Sequence, residues 1–268
     1  MRGEKEKKCL QKISENLANC YLYGISHDDL SLLQSILEEA QPNPESSTFP
    51  DFIFTDGFIE HFQITSSKVT RKGAEHQREY SQYRKKTDAA IKKVQQSMNK
   101  HPCFEAVQEY HWSFPQPVHS YENLKKSLEE IWSKHIDSLN KYTGKKQVGI
   151  FIVEYPEYAL AMCENVYGTI KEGFRYDGLR DQQKFDAYRL SRDKEMLDYL
   201  YRFSRQLMFV FYVFHSGIEV IKLKNIPDHK KLLPWDFAVC PLTVLNCESL
   251  YGVSVPDKVL EIGEERDE

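Results

Sequence analysis

Apolar and polar residues alternate along this chain with two distinct periods. Leu10, Ile13, Leu17, Cys20 and Tyr21 recur at helical spacing, which predicts a helix over residues 4–23 that Gly24 stops. Ser26 is placed to cap a second helix, with Asp28 and Asp29 in its first turn and Leu30, Leu33, Ile36 and Leu37 as its stripe. Residues 41–48 carry two prolines and small polar side chains and read as a loop. Phe49–Phe54 and Phe58–Thr65 are apolar, aromatic and β-branched around Asp56-Gly57, a strong hairpin signal. A long polar helix is predicted over 74–99, ended by His101-Pro102, and residues 102–120 read as irregular.

Further along, Leu124, Leu128, Ile131, Trp132, Ile136 and Leu139 predict a helix over 121–142, and 147–153 reads as a buried strand. Residues 174–181 read as loop and 182–203 as another helix, with YRLSRDKE forming a solvated face. Residues 206–214 and 218–226 form a second predicted hairpin around His215-Ser216-Gly217. The acidic tail 262–268 reads as mobile. No repeat or linker divides the chain, so the expectation is one domain over 1–268 with a helical N-terminal segment, 1–40. This element order implies an α/β (α+β) architecture, a mixed central β-sheet flanked by helices.

Composition adds bounds. The chain has 268 residues, 41% of them hydrophobic, with Tyr 16, Phe 15 and Trp 3, which is ample for a core. The net charge of −4 argues against bulk coating of nucleic acid but leaves room for a local basic groove. Residues 71–100 supply one candidate, with nine basic side chains against three acidic ones. There Arg71, Lys72 and Arg78 suit phosphate contacts, and a solvated face with pairs such as Glu75–Arg78 is the plainer alternative. Cys9, Cys20, Cys103, Cys163, Cys240 and Cys247 form no CxxC pair and read as scattered thiols of a reducing compartment. The charged N-terminus lacks an apolar signal region, and no apolar run reaches the roughly 20 residues of a membrane span. A cytoplasmic protein with no membrane association is therefore expected.

The chemically suggestive segment is FPDFIFTDGFIEHFQITSSK, Phe49–Lys68. Pro50-Asp51 followed by Glu60-His61-Phe62-Gln63-Ile64-Thr65 resembles the PD-(D/E)xK, restriction-endonuclease-like superfamily. The likeness is to its Mrr-like E-x-x-Q-x-K variant, with Thr65 where that pattern has Lys. The resemblance implies a restriction-endonuclease-like fold and a nuclease hydrolysing phosphodiester bonds of DNA, or of RNA, in restriction or antiphage defence. It implies Mg²⁺ or Mn²⁺ held by Asp51 with Glu60, Gln63 or both, and Thr65 or Lys68 beside the attacking water. Such a cation polarises the phosphate and acidifies a bound water. Glu15 on the first helix is a further acid of the kind that joins such sites. A homodimer or a partner protein is compatible with it.

Strand geometry leaves two registers open. A two-residue Asp56-Gly57 turn sets Asp51 opposite Phe62 and on the face of Glu60. A three-residue Thr55-Asp56-Gly57 loop sets it opposite His61 and on the face of Gln63 and Thr65. Neither brings a Lys to the motif position; either Lys68 or Lys72 reaches in from beyond the strand, or the site is inactive. The same residues admit structural roles: Asp51 capping a turn, Glu60 paired with a surface Lys, Gln63 facing solvent, His61 as a half-buried core histidine. An inactive nucleic-acid-binding or protein-interaction module on the same scaffold is the alternative reading, and an unrelated structural subunit a third. GxGxxG, Walker A, GxSxG and HExxH are absent from the sequence, and His76, His101, His111 and His119 show no metal-ligand spacing.

Overall fold

The computed structural model describes residues 3–45, 48–70, 73–100, 105–115, 119–165, 183–233, 237–241 and 244–254. The chain groups into two compact units, Met1–Ser66 with His119–Leu242, and Ser67–Val118 with Thr243–Glu268. The first unit runs α1 (Glu4–Asn16), β1 (Tyr21–Tyr23), α2 (His27–Glu39), β2 (Gln41–Pro42), β3 (Phe52–Phe54) and β4 (Gly57–Gln63). The second unit comprises β5 (Val69–Thr70), β6 (Gly73–Ala74), α3 (Glu75–Lys100), β7 (Glu105–Pro115) and, near the end of the chain, β14 (Val244–Ser254). Between β7 and β14 the chain returns to the first unit. It forms α4 (Tyr121–Lys141), β8 (Val148–Tyr155), β9 (Leu160–Asn165), β10 (Gln183–Ala187), α5 (Lys194–Tyr201), β11 (Phe209–Phe214), β12 (Gly217–Lys222), α6 (Ile226–Lys231) and β13 (Phe237–Pro241). No helix among the described residues is long and apolar enough to cross a membrane.

The first unit is a mixed α/β structure around a seven-stranded sheet in the order β1-β12-β11-β8-β4-β3-β2. β4, β8 and β11 are mutually parallel at its centre. The β3–β4 and β11–β12 hairpins and the β2–β3 pair are antiparallel. Both faces of the central strands are covered, as parallel sheets require. Ile150 and Ile152 of β8 pack with Cys9, Leu10 and Ile13 of α1 and Leu33, Ile36 and Leu37 of α2. Phe151 and Val153 face the other way, into Leu124, Leu128, Trp132 and Ile136 of α4 and Leu197 and Leu200 of α5. Trp132 is fully buried, its ring 4.9 Å from Phe151 and 6.0 Å from Phe62. A smaller antiparallel sheet, β10-β9-β13, completes the unit.

Several expectations hold. Ser26 caps α2 through a capping box: Asp29 N–H donates to its Oγ (3.2 Å) and Ser26 N–H donates to Asp29 Oδ2 (2.9 Å). α3, α4, β8 and both hairpins lie where periodicity predicts them.

Others are corrected. α1 stops at Asn16, and after a single 3-10 turn the chain becomes β1, which adds in parallel to the edge of β12. Residues 21–23 are Tyr-Leu-Tyr, which suits a sheet edge better than a helix end. Gly24 therefore ends a strand, at φ +69, where a Cβ would sit 2.7 Å from Asn225 Cβ. Residues 105–115, read as irregular, form β7, because their pairing partner β14 lies far downstream. The region predicted as helix over 182–203 is β10, a 3-10 turn and the short α5, which Asp193 caps by accepting Met196 N–H (2.9 Å). The segment 174–181 and the tail 262–268 lie outside the described residues.

YRLSRDKE is not a solvated face. Tyr188 and Arg189 are buried, and Arg189 forms an ion pair with the fully buried Glu219. Ser191 N–H (2.9 Å) and Ser191 Oγ (2.7 Å) donate to the same carboxylate. The Arg189 guanidinium lies 3.8 Å from the Tyr21 ring centroid and donates to Tyr23 Oη (2.9 Å), tying β1 to the core. A second buried polar group joins the points where the chain leaves and rejoins this unit. Ser66 Oγ lies 2.7 Å from His119 Nδ1, 2.8 Å from Tyr155 Oη and 2.8 Å from Glu157 Oε2, and Ser120 N–H donates to Ser66 O (3.0 Å).

The hairpin register differs from both expectations. Phe54 pairs with Gly57 and Phe52 with Ile59, so Thr55-Asp56 form the turn and Gly57 is the first strand residue. The cause is long-range. β8 begins beside Gly57, and a Cβ there would overlap the Val148 carbonyl.

Two measurements check this account. Gly57→Ala should destabilise the protein by about 1–3 kcal/mol, through overpacking against β8, in chemical denaturation. Arg189→Ala, which leaves Glu219 buried and uncompensated, should cost about 3–5 kcal/mol in the same assay.

Candidate functional site

β3 is only three residues long, so the second half of β4 has no ladder partner on that side. The backbone before β3, where Phe49-Pro50 is cis, fills this gap through side chains. His61 N–H donates to Asp51 Oδ2 (2.8 Å), and Asp51 N–H donates to Glu60 Oε2 (2.9 Å). The two acids thus stand side by side, each bonded to the other's strand. Glu60 is buried, and its Oε1 lies 2.7 Å from His135 Nδ1 of α4. The His135 ring stacks on Phe62 at 4.6 Å, which fixes its orientation.

These residues border a cavity of about 410 Å³, lined also by Glu6 and Lys7 of α1, Asn43, Thr48, Phe49, His61 and Ser138. Asp51 is half-buried. Burial, then the neighbouring Glu60 carboxylate and, more weakly, Glu6 push its carboxyl up to about 6, against the opposing pull of the His61 N–H bond. Among the described residues nothing hydrogen-bonds Asp51 Oδ1.

The other face of β4 carries a different group. His61 and Gln63 project toward α1, where Glu154 of β8 receives both: His61 Nε2 lies 2.9 Å from Glu154 Oε2, and Gln63 Nε2 donates to the same oxygen (2.7 Å). Burial alone would raise the Glu154 carboxyl. The His61 and Gln63 hydrogen bonds outweigh it and hold the group below the usual carboxylate range. Cys9 of α1 completes the cluster, with one ligand atom each of Cys9, His61 and Glu154 within 4.8 Å of one another. Burial, and then Glu154, push the Cys9 thiol up to about 12.

Among the residues singled out in sequence, the structure brings Asp51 and Glu60 together and turns Gln63 to the opposite face, against Glu154. Thr65 is held by its N–H donating to Ser127 Oγ of α4 (3.1 Å). Lys68 is exposed and belongs to the second unit. Arg78 lies on α3 in the same unit, and Arg71 and Lys72 lie outside the described residues. Glu15 is exposed, accepts from Gln11 Nε2 (2.7 Å) and borders a separate groove between α1 and α2.

Sequence reasoning passed over Glu6, Lys7, Cys9, His135 and Glu154. For Glu154 a signal exists, since it is the one charge in the apolar strand VGIFIVEY. Glu6 and Lys7 are indistinguishable from the rest of the EKEKK run until α1 is docked on the sheet.

The fold and site define a mixed-sheet α/β unit with a cavity holding two acids beside the open end of a central strand. Comparison of the chain with protein-family models, with curated proteins and with solved structures returned no match.

The raised Asp51 carboxyl has a consequence for stability. Its folded-state value, about 6, lies above the ordinary 3.8, so the folded state holds this proton more tightly. Its contribution to stability is full below pH 4 and fades as pH rises toward 6. Asp51→Asn, which keeps an acceptor for His61 N–H, should stabilise the metal-free protein at pH 7.5 by about 1 kcal/mol after solvent screening. Thermal melts across pH 4–8 check this: the wild type should lose stability relative to the variant between pH 4 and 6, and a constant difference would refute the assignment.

Proposed function

We propose that this chain is a metal-dependent phosphodiesterase acting on nucleic acid, built on a restriction-endonuclease-like core, with Asp51 and Glu60 at its reactive centre. The observation that carries this reading is the pair itself. Two carboxylates, Asp51 held by the His61 N–H and Glu60 by the Asp51 N–H, border one cavity with Glu6, and burial followed by repulsion from Glu60 raises Asp51. Repulsion of this kind is relieved by a cation, and the donor set, carboxylate oxygens only, suits Mg²⁺ or Mn²⁺. Each bonded carboxylate oxygen keeps a further lone pair for coordination. When bound, such an ion polarises a phosphate and lowers the pKa of a water.

The chain's own residues have separable tasks. His61 N–H orients Asp51, and His135 orients Glu60. Lys7 is the one Lys or Arg side chain among the lining residues, and it stands in for the Lys that Thr65 replaces, as a donor to a phosphate oxygen. Gln63 is left out of the ligand set, because its amide serves Glu154. The basic residues of α3, in the second unit, are that unit's own candidates for contacts to a DNA or RNA backbone.

A second reading, an inactive nucleic-acid-binding module, is favoured by one observation: Thr65 occupies the Lys position and its backbone is pinned to α4.

Purified protein incubated with plasmid, single-stranded DNA and RNA, with Mg²⁺ or Mn²⁺ and with EDTA, distinguishes them. Cleavage should require the metal and fall at least roughly 10–100-fold in Asp51→Ala. Cleavage that persists in that variant sinks the assignment. Binding without cleavage by the wild type selects the second reading.

A further inference from the structure

The Cys9, His61 and Glu154 side chains form a cluster apart from the Asp51–Glu60 pair, with which it shares only His61, whose backbone N–H holds Asp51. We infer that it is a binding site for a transition-metal dication of the zinc class, which fastens α1 to the centre of the sheet. The three donors come from α1, β4 and β8, and one ligand atom of each lies within 4.8 Å of the other two. A thiolate, an imidazole and a carboxylate in one small cluster select Zn²⁺, Co²⁺ or Fe²⁺ over the hard cations, and three protein donors leave a fourth position for water.

The surroundings match those of a metal centre. Cys9 and His61 are 5% and 8% exposed and sit on the face that packs against α1 and α2, in a largely apolar shell. Gln63 Nε2 donates to the Glu154 carboxylate, the outer contact that orients a ligating carboxylate. The His61 backbone is held in place, because its amide N–H donates to Asp51 Oδ2 (2.8 Å). Binding is balanced by proton release: the Cys9 S–H bond breaks, a sulfur–metal bond forms, and one proton goes to solvent. Gln63, read in sequence as a magnesium ligand, becomes a positioning residue for Glu154.

The test uses the full chain without an affinity tag, stripped with chelator and titrated with Co²⁺, then with Zn²⁺ in competition. One equivalent of Co²⁺ should give a sulfur-to-cobalt charge-transfer band in the near ultraviolet and tetrahedral visible bands, all displaced by Zn²⁺. Cys9→Ser should abolish the charge-transfer band while circular dichroism shows the fold retained. Gln63→Leu, which keeps all three donors, should weaken affinity roughly 10–100-fold. Glu60→Gln should leave the spectrum unchanged, which separates this site from the acid pair. A folded wild type without the charge-transfer band overturns the inference, and so does an unaltered band in Cys9→Ser. Loss of the band in a folded Glu60→Gln variant would show that the cluster is not independent of the acid pair and equally overturn it.

Discussion

The parallel β4–β8–β11 centre is covered by helices on both sides, and this governs the rest of the structure. A strand buried on both faces leaves few of its polar side chains fully to water, and an unpartnered buried group costs about 1–3 kcal/mol. Glu60, His61, Gln63 and Glu154 sit on two of these strands and resolve the constraint in two separate ways. Glu60 turns to His135 and to the Asp51 backbone, whereas His61 and Gln63 converge on Glu154. Glu219 on β12 follows the same logic, with Arg189 and Ser191 drawn in from a segment whose composition alone reads as an exposed helix.

What was legible in the sequence follows from how far each signal has to reach. The capping box at Ser26, the stripe of α4 and the two hairpins are written within a few neighbouring residues, and they stand where expected. The register of β3 against β4 was not legible. Asp56-Gly57 suits a turn locally, yet Gly57 is needed as a strand residue because Val148 passes against it. β7 and β14 were missed for the same reason, since an edge ladder is stabilised by a partner that no short window contains. Tyr21–Tyr23 continues a helical stripe on paper, but parallel pairing with β12 and the Arg189 side chain against Tyr21 pull it into the sheet.

The candidate site was half legible. Asp51 and Glu60 are visible as acids flanking a turn signal, and their shared surroundings are what the first of the two registers anticipated, although the turn that produces it is different. Glu6, Lys7 and His135 come from helices whose docking depends on the whole sheet. Cys9 was visible only as one thiol among six. Its position opposite His61 and Glu154 arises from the face that α1 buries, which also carries Leu10 and Ile13.

Strand periodicity bears on the motif itself. In E-x-x-Q-x-K the first acid and the Gln are three residues apart, so in a regular strand they project to opposite faces. No single ion can take both Glu60 and Gln63 while β4 runs unbroken from Gly57 to Gln63. An ion centred on Asp51 would therefore recruit Glu60, with Glu6 as a further acid lining the cavity, and an ion on the other face would use Glu154, His61 and Cys9 instead. The two donor sets differ in hardness: carboxylates alone on one side, thiol and imidazole with one carboxylate on the other. Because His61 contributes its backbone to the first and its ring to the second, a displacement of β4 at this residue would reach both.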